Sequence, residues 1–282
     1  MPEMSRLRQQ ARAAWGLATK AADQWLDAPP GQQARAAFVF GCQRSGTTML
    51  IDVLRRSPSV WVWPEKSNIP YEDYRLRAPA TVELVTRLTP AAIALYKPLC
   101  DSHLADRILD LHAGAKGLWA VRHWSDVARS AVTKWGAHQR EVIEAIAAGR
   151  ADTVGWRGER LPAELVDQLR ELTKDGLDDH AGAVLFWFMR NTFFWTLGLE
   201  QDERVRVVRY EALLSQPELV FPEVFGHLGA VYAPAWHADV TPRSAAPQTI
   251  EGLPEPIRAV ADAVWRRFEL ISQPASAAPR GA

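Results

Sequence analysis

The apolar run at residues 36–40 reads as a short buried strand. After it comes a polar, glycine-bounded stretch, and then residues 46–56 place Met49, Leu50, Val53 and Leu54 on one face of a helix that Ser57-Pro58 ends. Further strands are predicted at 60–63, 117–121 and 205–208, and helical spacing recurs at 82–87 and 104–112. Ser125 is the expected N-cap of a helix running to about Trp135. Residues 136–179 are charged and helical with several breaks. Later helices are expected at 211–214, 217–228 and 254–270, with a loop at 243–249. The most apolar run, 181–199, is interrupted by Arg190 and Asn191, so it reads as a buried helix rather than a membrane span.

Strands alternating with helices predict an α/β fold, a parallel sheet with helices on both faces. Ligands of such sheets sit at the carboxyl ends of the strands. Residues 4–25 form an amphipathic helical pattern closed by Asp27-Ala28-Pro29-Pro30-Gly31. The expected organisation is therefore an N-terminal helix and linker at 1–34, one α/β domain at 35–271, and a Pro/Ala/Ser-rich disordered tail at 272–282.

Composition narrows the choice of partner. With 282 residues, 48% hydrophobic and 23% charged, the chain can build one large core. Its 33 basic and 33 acidic residues cancel, so no overall field points to nucleic acid or an anionic membrane. Cys42 and Cys100 are too few for a disulfide framework and lack metal-ligand spacing. The first twenty residues mix Arg with Glu3 and carry no apolar core of a secretory signal, so the cytoplasm is the expected compartment.

Chemistry enters at Gly41-Cys42-Gln43-Arg44-Ser45-Gly46-Thr47-Thr48. Between a strand and a helix start, backbone N–H groups converge on one anion. Gly41 and Gly46 have the spacing of a nucleotide loop, but Thr47 stands where a Walker lysine is required, and the cation, Arg44, lies inside the loop. A guanidinium and the hydroxyls of Thr47 and Thr48 would then hold the anion, with no metal-bound triphosphate called for. A turn serving only chain reversal is the plainer alternative, and a P-loop kinase or NTPase the rival enzyme. Cys42 reads as a small space-filling residue.

A second cationic point follows the third strand: Arg122 leaves its carboxyl end, and Ser130 lies eight residues on, in the next helix. Alone, the pair is an ordinary strand-end arginine and a surface serine. Together with the loop it resembles the sulfotransferases that use 3′-phosphoadenosine-5′-phosphosulfate (PAPS). In that family an arginine and a serine at this spacing hold the 3′-phosphate, while the glycine loop, here Arg44 to Thr48, holds the 5′-phosphosulfate. The family's Arg-Asn-Pro-x-Asp opening is Arg122-His123-Trp124-Ser125-Asp126 here, which keeps the Arg and the Asp. Arg209-Tyr210-Glu211-Ala212-Leu213 with Pro217, Phe225 and Leu228-Gly229 is similar to a third family segment, whose tyrosine lies near the adenine; Tyr210 also reads as a plain core aromatic. Lys97-Pro98 is similar to a fourth, with its middle residue missing. The resemblance spans roughly 36–230. It implies a P-loop-like three-layer fold with a central, mainly parallel sheet, PAPS as co-substrate without a metal, and sulfuryl transfer to a hydroxyl or amine, releasing 3′,5′-ADP. Arg243 completes the expected nucleotide contacts.

Transfer needs an acceptor hydroxyl deprotonated as it attacks sulfur, with positive charge near the departing oxygen. Glu65 follows the second strand at the same sheet edge, and its spacing after Arg44 resembles that of the glutamate base in tyrosylprotein-type sulfotransferases; it could instead be a solvated partner of Lys66. Lys97 is the candidate for the bridging oxygen, or a plain exposed lysine. His103 and His123 are the runner-up bases. Trp61, Trp63 and Trp124 line the acceptor pocket or belong to the core. The acceptor expected is a small molecule or carbohydrate, bound between 61–88 and 136–180, and a non-catalytic binder of PAPS or 3′,5′-ADP is the remaining alternative.

Overall fold

The computed structural model describes residues 33–240 and 247–272. The predicted N-terminal helix, Arg243 and nearly all of the tail lie outside the described residues.

Five parallel strands form the central sheet in the order β2-β5-β1-β6-β7. These are β1 (Arg35–Gly41), β2 (Val60–Val62), β5 (Ile93–Tyr96), β6 (Lys116–Val121) and β7 (Val205–Arg209). A small antiparallel hairpin, β3 (Tyr71–Glu72) and β4 (Arg75–Leu76), stands apart. Four of the five strands were predicted. The fifth, β5, sits between β2 and β1 and was not, because four apolar residues carry no period that separates strand from helix.

Helices cover both faces, giving three layers. Along β1, Ala36, Phe38 and Phe40 enter one core while Ala37 and Val39 enter the other, as a strand with two buried faces requires. The first core also takes α4 (Trp124–Trp135), α5 (His138–Ala147), α7 (Asp179–Thr196) and α10 (Glu255–Ile271). The second takes α1 (Thr47–Leu54), α8 (Tyr210–Ser215) and α9 (Pro217–Leu228). The remaining helices are α2 (Pro79–Arg87), α3 (Ala105–Leu111) and α6 (Ala163–Leu172).

The apolar run at 181–199 is the buried helix α7, capped by the Asp178 carboxylate, which accepts from Ala181 N at 2.7 Å. Arg190 and Asn191 are both solvent-inaccessible within it. Among the described residues no helix is long and apolar enough to cross a membrane. Ser125 does not cap α4. That helix starts at Trp124, and the cap is His123, whose Nδ1 accepts from Ser125 N at 3.3 Å. The imidazole therefore does what the serine was expected to do.

Candidate functional site

Because the strands are parallel, all five carboxyl ends face one side of the molecule. Each hands over one of the residues singled out in the sequence. The chain leaves β2 to reach Glu65, leaves β5 at Lys97, β1 into the 41–48 loop, β6 at Arg122, and β7 at Tyr210. All of these line one cleft of about 1330 Å³.

The loop's shape depends on its two glycines. A side chain at Gly41 (φ +125°) would meet the carbonyl oxygen of Ala120 on β6 at 2.2 Å. One at Gly46 (φ +76°) would meet the Tyr210 ring at 2.1 Å. Arg44 is itself left-handed (φ 70°), which turns the backbone between the glycines. The Ser102 hydroxyl braces the loop's start, accepting from Gly41 N at 2.9 Å and donating to Gly41 O at 3.0 Å. Thr47 and Thr48 open α1 and line the cleft, whereas Ser45 is buried with its hydroxyl unpartnered. Cys42 fills space behind the loop, its thiol pushed up to about 12 by burial, which keeps it neutral.

The two cationic points share this cleft. Arg44 Nε donates to Ser130 Oγ at 2.9 Å, so a residue expected at the 5′ end of a nucleotide touches one expected at the 3′ end. Arg122 stacks on the Tyr210 ring with its guanidinium carbon 4.5 Å from the centroid, and Nη2 donates to Asp126 at 3.0 Å. Its Nε is buried without a partner. Tyr210 thus lies between Gly46 and Arg122 and joins the loop to the second cation. Its neighbour Glu211 accepts from His123 N at 2.8 Å, and burial raises its carboxyl above the usual range.

Across the cleft Glu65 and Lys97 form an ion pair at 2.6 Å, both half-buried. Glu65 is therefore paired with Lys97 rather than Lys66. The phenol of Tyr71 accepts from Lys97 N at 2.7 Å and holds the end of β5 in place.

Three groups of candidates lie elsewhere. His103 is solvent-inaccessible, bound to Glu159 at 2.8 Å, with burial and then Arg190 pushing its pKa down to about 4. His123 caps α4 beside Trp124 and Trp265, and burial likewise brings it down to about 4. Neither lines the cleft. Nor do the three tryptophans: Trp63 donates to Thr89 at 3.0 Å and stands edge-on to Trp61, while Trp124 donates to Asp262 of α10 at 2.8 Å. Aromatic lining beyond Tyr210 comes instead from Tyr74, Trp135, Trp156 and Phe186. Trp156 belongs to the 3-10 segment Ala151–Gly158, which has no motif; only its tertiary placement marks it.

No family model and no curated protein matches the chain. Solved structures do. The sulfotransferase domain from the curacin biosynthetic pathway is 16% identical, over 88% of this chain and 95% of that one, with a TM-score of 0.46. Mouse sulfotransferase SULT7A1, complexed with PAP, is 14% identical over 90% and 96%, with a TM-score of 0.45. Sulfotransferase STF9 from Mycobacterium avium is 15% identical over 88% and 79%, with a TM-score of 0.42. At this distance the functional reading rests on the cleft itself.

Proposed function

We propose that the chain is a PAPS-dependent sulfotransferase, transferring a sulfuryl group to a hydroxyl or amine of a small-molecule or carbohydrate acceptor and releasing 3′,5′-ADP. One observation carries the reading. Arg44 and Arg122, from separate strand ends, open into a single cleft with the phosphate loop, and Tyr210 bridges them.

The 41–48 loop and Arg44 would hold the 5′-phosphosulfate through backbone N–H groups, hydroxyls and a guanidinium. Arg122 and Ser130 would hold the 3′-phosphate. The buried, unpartnered Nε of Arg122, a residue that lines the cleft, is a donor that an incoming anion would satisfy. Tyr210 offers its ring to the adenine side.

Glu65 is the proposed base. It takes the proton from the acceptor oxygen as that oxygen attacks sulfur. The S–O bond to the 5′-phosphate breaks in line, and the electron pair leaves with the phosphate oxygen, where Lys97 stabilises the charge. For both roles the ion pair would have to open, with Lys97 turned toward the donor and Glu65 left free for the acceptor. The same pair suits a non-catalytic nucleotide binder, whose carboxylate is merely a counter-charge. Release of 3′,5′-ADP from PAPS on addition of hydroxylated acceptors, lost in Glu65→Gln with nucleotide affinity intact, separates the two. PAPS bound but never consumed would leave only the binder.

A further inference from the structure

Beyond the nucleotide end, the cleft runs to a wall built from Ala151–Gly158 and α7, where Arg157 stands. We propose that this end holds the acceptor and that the acceptor is acidic: a hydroxylated small molecule whose carboxylate or phosphate is gripped by the Arg157 guanidinium. The proposal rests on the sulfotransferase reading and adds a substrate class to it.

The wall carries positive charge without a counter-charge. Of the other arginines in the cleft, Arg56 is paired with both oxygens of Asp239 at 2.6 and 2.7 Å and Arg122 with Asp126 at 3.0 Å, while Arg44, at the proposed phosphosulfate end, donates only to the Ser130 hydroxyl among the described residues. Arg157 has no such partner among the described residues. It lies over Trp156 at 4.4 Å, and the titratable groups near it besides Arg190 are His138 and Cys100, whose thiol burial pushes up to about 11 and so keeps neutral. Behind it Arg190 is solvent-inaccessible and also packs on Trp156, at 4.8 Å. Arg190 donates to Leu99 O at 3.1 Å, and its Nε and Nη1 have no hydrogen-bond partner. The carboxylates on that side are committed elsewhere, Asp101 to Arg75 Nε at 2.7 Å and Leu76 N at 2.8 Å and Glu65 to Lys97 at 2.6 Å. Two guanidinium groups around one indole, both partly or wholly desolvated, favour an anion arriving from the cleft.

The wall is also pre-formed. Glu159, two residues beyond Arg157, takes Arg75 through both oxygens at 2.7 and 2.9 Å and binds His103 at 2.8 Å. That network fixes the segment before any ligand binds. The other lining suits a hydroxylated body: Trp135 and Phe186 are apolar, and Gln43 and Gln139 present buried amide oxygens without partners.

The test is calorimetry on the full chain saturated with 3′,5′-ADP. It is titrated with 4-hydroxyphenylacetate against its neutral analogue 2-(4-hydroxyphenyl)ethanol, and with glucose 6-phosphate against glucose. At least one acid is expected to bind roughly tenfold or more tightly than its neutral analogue. The pair that shows the advantage tells carboxylate from phosphate. In Arg157→Gln that advantage should collapse while 3′,5′-ADP affinity stays as it was, which also shows the variant folded. Absence of binding by either acid at millimolar concentration, equal binding within both pairs, or weakened 3′,5′-ADP affinity in Arg157→Gln would overturn the proposal. Failure of the unaltered protein to bind 3′,5′-ADP would instead remove the sulfotransferase reading beneath it.

Discussion

Gly46 and Tyr210 explain each other. The ring of Tyr210 occupies the space a side chain at 46 would need, and the left-handed backbone there disfavours one in any case. Gly46→Ala is therefore expected to cost about 1–3 kcal/mol in melting experiments and to weaken nucleotide binding by displacing Tyr210 from Arg122. A melting temperature and affinity equal to the parent's would mean that the ring is not held there. At Glu65 the expectation is different in kind. Glu65→Gln should lower turnover by roughly 10²–10⁴-fold, the range of general-base contributions, with nucleotide affinity nearly unchanged. Residue identity made these positions legible: glycine spacing, an internal arginine and a strand-end glutamate are all visible in one dimension. The direct Arg44–Ser130 hydrogen bond is not, since it joins residues from two strand-helix units.

At the scale of elements, periodicity revealed the long pieces and missed the short or tertiary ones. α7 was legible because eighteen residues of mainly apolar sequence leave little choice. β5 was not, although Lys97 at its end stands out in the sequence, because Ile93-Ala94-Leu95-Tyr96 becomes a strand only by pairing with β1 and β2. The start of α4 was misplaced for a related reason. A serine looks like a cap in sequence, but the imidazole of His123 reaches Ser125 N first. The cleft wall at 151–158 could not be read, because its charge matters only once Arg190 stands behind it.

The cap at α4 has a pH consequence. His123 accepts through Nδ1 and must stay neutral to do so, and burial depresses its pKa to about 4, as it does for His103. In the unfolded chain both protonate near 6.5. The unfolded state thus binds more protons between these values, so the stability they contribute is intact above about 6.5 and is lost as pH falls toward 4. Melting temperature should therefore drop across that window. His123→Asn, which keeps a capping oxygen but cannot titrate, should make the drop shallower and leave the share that His103 contributes. A parent profile flat from pH 7 to pH 4.5 would contradict the assignment.

For the molecule as a whole, zero formal charge means that attraction for a polyanion must come from the cleft rather than a global field. Five parallel strands converge their ends on that cleft, and both Arg44 and Arg122 line it. That arrangement fits a nucleotide phosphorylated at both the 3′ and 5′ positions. Calorimetric titration with 3′,5′-ADP and with 5′-ADP, without magnesium, compares the two directly. The bisphosphate should bind roughly tenfold or more tightly, and Arg122→Ala should erase the difference. Equal affinity for both nucleotides, or a preference for ATP with magnesium, would contradict a site built around the 3′-phosphate.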